Sequence, residues 1–450
     1  MMKIYIVSAQ YIGSITGGGG IHVVDLSREL AKLGHNVIVL SMGIGKSKKE
    51  EIVTLKDPFN PDPKKRKCKV KVFRFWTSDS KRINGPFEGT KLEEINRLEK
   101  FGKKVVEFLK KYNEETIVHL HGHFMIPSIA KELRESTKFK IVSSIHTFES
   151  ISEARKGKNG AGPKLIEFMR EKEEQAIKYS DCLIVRSKAV KEQISSMFPE
   201  SVKSANIAVI SSGVSSVFIH HPPFSEKHLE LLKQKYKIKG RLIFNLNRID
   251  PSKGIEYSIE ALYKVIKELK KIEKKNYKEV SMVVAGMLEE KNQWYLERLQ
   301  KMVKKLKLEE NVSFHIGISE DDKIGLFNLA DVFLLSSIIE PFGITIVEAL
   351  SKDVPVVAAG VEGPKDIMGV KEVKKPYIWA NGGAIVYYDD PTQRAEYISK
   401  AILNVFAHPE KVKNLVKKGK KRVLSIYAWE SLVKRKLEIY KKVLKLSRRE

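Results

Sequence analysis

Short runs of β-branched and apolar residues alternate with longer helical patterns along almost the whole chain, and this alternation limits the fold more than any other feature. Strands separated by helix-length segments read as a parallel sheet covered on both faces. The first series of expected strands is 3–8, 36–41, 70–75, 116–120, 140–145, 181–186 and 206–210. The second is 241–246, 280–285, 311–316, 331–335, 354–358 and 384–388. Between the series, Gly213 and the pair Pro222-Pro223 break the periodicity, as a linker does. With 450 residues the chain exceeds one ordinary core. The expectation is two doubly wound α/β domains, 1–215 and 216–425, and a terminal helical segment, 426–450.

No stretch approaches the ~20 apolar residues of a membrane span, and no signal-peptide pattern opens the chain, so a soluble, cytoplasmic protein is expected. Cys68 and Cys182 are the only cysteines, which leaves no disulfide framework and no cysteine metal site. Against 55 acidic residues stand 82 Lys and Arg, a formal charge of +27. Such a charge attracts phosphates or anionic surfaces. A solvated surface accounts for most of it, weak association with anionic membranes comes second, and no aromatic-interleaved basic patch supports nucleic-acid binding. A basic nucleic-acid or membrane-binding protein without catalysis would explain the charge but none of the motifs below.

The most informative motif is Ser336-Ser-Ile-Ile-Glu-Pro-Phe-Gly-Ile-Thr-Ile-Val-Glu348. Glu340 follows a buried strand, and Pro341 suits the first position of a helix. At that helix start Gly343, Ile344 and Thr345 offer backbone N–H groups and the positive dipole end to a phosphate. Glu348 lies about one and a half turns further along. Carboxylates beside an anion site repel phosphate and instead accept hydrogen bonds from neutral hydroxyls. A sugar joined to a diphosphate has both groups.

The stretch resembles the Glu, seven residues, Glu signature of retaining GT-B glycosyltransferases, the glycogen and sucrose synthase-like group known as glycosyltransferase family 4. The resemblance implies two Rossmann-like domains facing a cleft, with a C-terminal helix crossing back to the first domain. It also implies that Glu340 holds sugar hydroxyls and Glu348 the nucleotide ribose. Arg248 and Lys253, in Asn247-Arg-Ile-Asp-Pro-Ser-Lys-Gly254, resemble the family's diphosphate-binding cations, with Asn247 in place of the usual Gly. Two cations on one strand-to-helix loop can both face a diphosphate.

In the first half, Thr16-Gly-Gly-Gly-Gly-Ile-His22 joins a strand to a helix without the spacing of a dinucleotide fingerprint. By resemblance, Gly18 and Gly19 lie over the donor diphosphate, and Gly19 also nears the acceptor. His119, His121 and His123 alternate on one strand, which suggests a zinc site, but no fourth ligand cluster is evident and no metal is assigned. They are expected to line the cleft edge or cap packing; the segment resembles the His-Gly-His of sucrose-phosphate synthases, which makes His123 an acceptor candidate. His146 closes a strand where the family carries a His near the reacting sugar. Arg170 and Glu174, at i and i+4, suggest a salt bridge, and the resemblance makes Arg170 a candidate for an acceptor phosphate. The stretch Val361-Glu-Gly-Pro-Lys-Asp-Ile367 resembles a loop of the same enzymes, with Glu362 replacing a Gly.

The expected activity is retaining transfer of a hexose, glucose or mannose, from a nucleotide-diphosphate sugar to a soluble sugar or sugar-phosphate acceptor. A peripheral-membrane enzyme acting on a lipid or polysaccharide is the alternative. No Asp-x-Asp occurs, and no cofactor or metal is expected.

Overall fold

A computed structural model describes residues 1–446 apart from 16, 17, 84, 88, 123, 146, 147, 156–160 and 275–278. Two compact units are present, Met1–Val217 with Trp429–Glu450, and Phe218–Ala428. The chain thus leaves the first unit at 217/218 and re-enters it at 428/429, where the sequence placed the boundaries at 215/216 and 425/426.

The strands of the first unit are β1 (Lys3–Ser8), β2 (Asn36–Met42), β3 (Glu50–Lys56), β4 (Lys67–Phe75), β5 (Ile117–His121), β6 (Lys140–Ile145), β7 (Cys182–Val185) and β8 (Ile207–Val209). They form one eight-stranded sheet in the order β3-β4-β2-β1-β5-β6-β7-β8. All neighbours are parallel except β3 and β4. In β1 Ile4, Tyr5, Ile6 and Val7 are all buried, the continuous apolar run of a strand covered on both faces. The order reverses between β1 and β5, and crevices for ligands open at the carboxyl ends of strands at such a switch point.

The second unit repeats the plan with β9 (Arg241–Leu246), β10 (Val280–Gly286), β11 (Val312–Ile316), β12 (Val332–Leu335), β13 (Val356–Ala359), β14 (Tyr377–Ala380) and β15 (Gly383–Val386). Its sheet runs β11-β10-β9-β12-β13-β15-β14, with β14 alone antiparallel and the reversal between β9 and β12. Two strands, β3 and β14, are absent from the sequence-based series. Both are antiparallel edges: β3 is mostly polar with Ile52 exposed, and β14, Tyr-Ile-Trp-Ala, is an apolar run of only four residues and half-buried.

The terminal helix Trp429–Leu444 belongs to the first unit. Its Trp429, Leu432, Val433, Tyr440 and Val443 are buried against Ile4, Ile6, Val39 and Ile184 of the sheet. Trp429 Nε1 donates to Asp25 Oδ2 at 3.1 Å. Among the described residues, no helix is long and apolar enough to cross a membrane.

Candidate active site

In the second unit, the loops after β9 and β12 meet at the switch point. Asp250 shapes the first of them. Its carboxylate accepts from Ser252 N at 2.9 Å and from Asn292 Nδ2 at 3.1 Å, fixing the 3-10 turn Pro251–Lys253. Gly254 then takes a left-handed conformation, φ 56°, and a Cβ there would lie 2.5 Å from Ser336 O. Only glycine accommodates both the angle and the contact. The loops are laced together by Ile338 N to Ser252 O, 2.8 Å, and Ser336 Oγ to Lys253 O, 3.0 Å.

This lacing brings Lys253 Nζ to 2.9 Å from Glu340 Oε2, with both side chains mostly buried. Ser337 Oγ also donates to that oxygen, at 3.3 Å, and Gly363 N donates to Glu340 O at 2.9 Å. Arg248 is more exposed and pairs with Glu289, Nη1 to Oε1 3.4 Å. The helix Ile344–Ser351 starts from Gly343, whose φ of 94° turns the chain. Pro341 therefore precedes the helix instead of occupying its first position, because the chain needs the glycine turn before helical hydrogen bonding begins. The N–H groups of Ile344 and Thr345 open that helix at its positive dipole end, four and five residues after Glu340.

Glu348 is buried one turn further, and Lys323 Nζ lies 2.8 Å from its Oε1. Lys323, on the helix Glu320–Leu329, also pairs with the exposed Glu320 at 2.8 Å. Burial pulls the Lys323 ammonium down, but the charges of Glu348 and Glu320 outweigh it and hold the group above the ordinary lysine value. Lys323, Asp250 and Glu289 were not found in the sequence. For Asp250 the signal was the Asp-Pro-Ser turn; for Lys323 and Glu289 only tertiary contact reveals the pairing.

In the first unit, Gly18 and Gly19 lie within the helix Gly18–Lys32. A Cβ at Gly19 would meet no atom within 4 Å, while one at Gly20 would meet Gln10 Oε1 at 2.8 Å. The helix opens at the same switch point as the end of β5, where His121 lies. His119 and His121 are buried with ring centroids 4.0 Å apart. His119 bonds Tyr440 Oη of the terminal helix at 2.6 Å and Ser144 Oγ of β6 at 2.8 Å, so both its nitrogens are engaged in packing. Burial first, then the charges of Lys436 and Arg186, hold His121 well below the ordinary imidazole value. His123 and His146 lie outside the described residues. Among the described residues, no group of three His, Cys, Asp or Glu is arranged to hold a metal ion.

Arg170 is exposed on the helix Pro163–Tyr179 and lies 3.6 Å from Glu167, not paired with Glu174 as the sequence suggested. Glu174 instead accepts from Ser201 Oγ at 2.6 Å. Ser215 accepts from Arg28 Nη2 at 2.8 Å, tying the end of the first unit to the glycine-started helix.

Known proteins share this fold. The family model described as Glycosyltransferase Family 4 matches residues 16–217, and that described as Glycosyl transferases group 1 matches 230–422. An uncharacterized glycosyltransferase of Methanocaldococcus jannaschii is 26% identical over 98% of both chains. The mannosylfructose-phosphate synthase of Agrobacterium fabrum is 22% identical over 94% of this chain and 86% of its own. Among solved structures, the sucrose-phosphate synthase from Thermosynechococcus elongatus superposes with a TM-score of 0.75 at 18% identity, covering 99% of this chain and 100% of that one.

Proposed function

The chain belongs to the family 4 glycosyltransferases of GT-B fold, and on that premise we propose that it moves a hexose, glucose or mannose, from a nucleotide-diphosphate sugar to a soluble sugar or sugar-phosphate acceptor with retention of anomeric configuration. One observation carries the reading: the Lys253–Glu340 pair beside a helix start at the switch point of the second sheet. A carboxylate there accepts from sugar hydroxyls. The cation and the N–H groups of Ile344 and Thr345 face the phosphates.

In the reaction the donor C1–O bond breaks and the acceptor oxygen bonds C1. Negative charge builds on the departing diphosphate, where Lys253, Arg248 and the helix dipole oppose it. The leaving phosphate oxygen takes the acceptor proton, so the step needs neither a metal nor a protein nucleophile. Glu348 receives the ribose hydroxyls. Sugar-phosphate acceptors are favoured by the names of the relatives, which speak of sucrose-phosphate and mannosylfructose-phosphate.

A second reading rests on the helix Pro409–Tyr427, where Lys413, Lys417, Lys418 and Lys421 are all exposed. Such a face suits an anionic membrane surface and a lipid acceptor. Incubation with labelled nucleotide sugars and a panel of acceptors tests both. Acceptor-dependent nucleotide release and a retained anomer by NMR are expected; release that ignores the acceptor, or an inverted product, defeats the reading.

A further inference from the structure

We propose that Lys323 is a positioning residue of the donor subsite, holding the Glu348 carboxylate ionised and oriented so that it can accept hydrogen bonds from the nucleotide's ribose. The inference rests on the ribose role given to Glu348 above. It begins from a mismatch in exposure. Lys323 bridges two carboxylates at the same 2.8 Å, yet the Glu320 side chain is 55% exposed and that of Glu348 only 9%. The exposed partner has water to solvate its charge. A buried carboxylate without a compensating cation takes up a proton, and a protonated carboxyl loses acceptor capacity for sugar hydroxyls.

The ammonium is itself confined. Its side chain is 11% exposed, and Nζ lies 5.1 Å from the centre of the buried Phe218 ring. A charge held between a ring face and two carboxylates has little freedom to turn away. The backbone carbonyl of Glu348 is also engaged, accepting from Ser351 Oγ at 2.7 Å and from Lys352 N at 3.2 Å, which fixes the helix turn that carries the carboxylate. Lys352 lies 5.3 Å from the same ring, and Lys420 of the helix Pro409–Tyr427 pairs with Asp353 in the turn after Ser351.

The test compares a ribonucleotide with its ribose-stripped form. UDP, ADP and GDP are titrated calorimetrically against the full chain, and the tightest is then compared with its 2′,3′-dideoxy counterpart. Charge-assisted ribose contacts make the wild-type ratio of dissociation constants about ten- to a hundredfold. Glu348→Gln is expected to collapse that ratio at every pH. Lys323→Met is expected to collapse it at low pH and to restore it as the pH rises, because a buried carboxyl deprived of the Lys323 charge ionises at higher pH. A wild-type ratio in Lys323→Met, with Glu348→Gln collapsed, overturns the inference and leaves the ribose role standing. A ratio that stays low in Lys323→Met at every pH marks lost packing and overturns it too. If Glu348→Gln keeps the wild-type ratio, the ribose role itself fails. Should circular dichroism show Lys323→Met unfolded, Lys323→Gln, which keeps a donor of similar reach without the charge, is read by the same outcomes.

Discussion

Lys253 and Glu340 sit 87 residues apart in sequence and form an ion pair of 2.9 Å that joins the two loops of the second unit's switch point. If both act on the donor, removing either should cost at least about a hundredfold in kcat/KM, the scale of a lost transition-state contact. Because the two are coupled, the double variant Lys253→Ala, Glu340→Ala should be no worse than the poorer single variant. Additive losses in a double-mutant cycle would show that they act apart.

Gly254→Ala tests the lacing of those loops. The added methyl meets Ser336 O and the backbone angle is unfavourable, so about 1–3 kcal/mol of stability should be lost. Lys253 is displaced with it. Thermal denaturation and donor KM should both move; a variant with unchanged donor KM would free Lys253 from the role assigned to it.

Chelation is the check on the metal-free reaction. Activity after exhaustive dialysis against EDTA should equal the starting activity, since cationic side chains and a helix start oppose the departing charge. Loss of transfer that zinc or magnesium restores would require a metal site after all.

Arg170→Ala separates the acceptor readings. A phosphate gripped by this exposed guanidinium predicts a raised acceptor KM with donor affinity untouched. Membrane docking predicts activity that rises with anionic vesicles and falls with salt. Transfer to lipid acceptors alone, indifferent to Arg170→Ala, would discard the sugar-phosphate acceptor.

Lys436, on the inner face of the terminal helix, is fully buried, and its ammonium finds no hydrogen-bond partner among the described residues. Burial first, and then Arg186 and Arg435 against the opposing Cys182, push it down to about 7. A folded-state value below the unfolded one means that the unfolded chain binds the extra proton. Stability should therefore rise as the pH climbs from about 7 toward the ordinary lysine value near 10. Lys436→Met should stabilise the chain by about 1–4 kcal/mol near neutrality, with an advantage that shrinks as the pH rises. Denaturation midpoints at several pH values give the slope; equal slopes in the two proteins would place a charged lysine in the core.

Interior strands such as β1 and β9 are legible because burial on both faces writes a continuous apolar run into the sequence. The edge β3 carries no such run, and that of the edge β14 is only four residues long, Tyr377–Ala380. Glu340, Lys253 and Gly343 are legible for a different reason: a turn between strand and helix demands specific residue types at fixed local spacing. Lys323 lies 25 residues from Glu348 in a chain full of lysines, and only the packing of two helices makes them partners. The Arg170–Glu174 pairing failed because helical spacing offered Arg170 three acids, Glu167, Glu173 and Glu174, and Ser201 on another helix engages Glu174.

The contact between Trp429 and Asp25 spans 404 residues, and it sets the order in which the protein can be completed during synthesis. The second unit is one uninterrupted stretch, Phe218–Ala428, and can close as soon as it emerges. The first unit cannot, because part of one face of its sheet, the part holding His119 and Cys182, awaits the terminal helix. At ribosomal speeds of about 5–20 residues per second, that face stays uncovered for roughly 10 to 40 s after Val217 has been made. His119 and Cys182 lack that cover throughout the interval, so the unit made first is finished last.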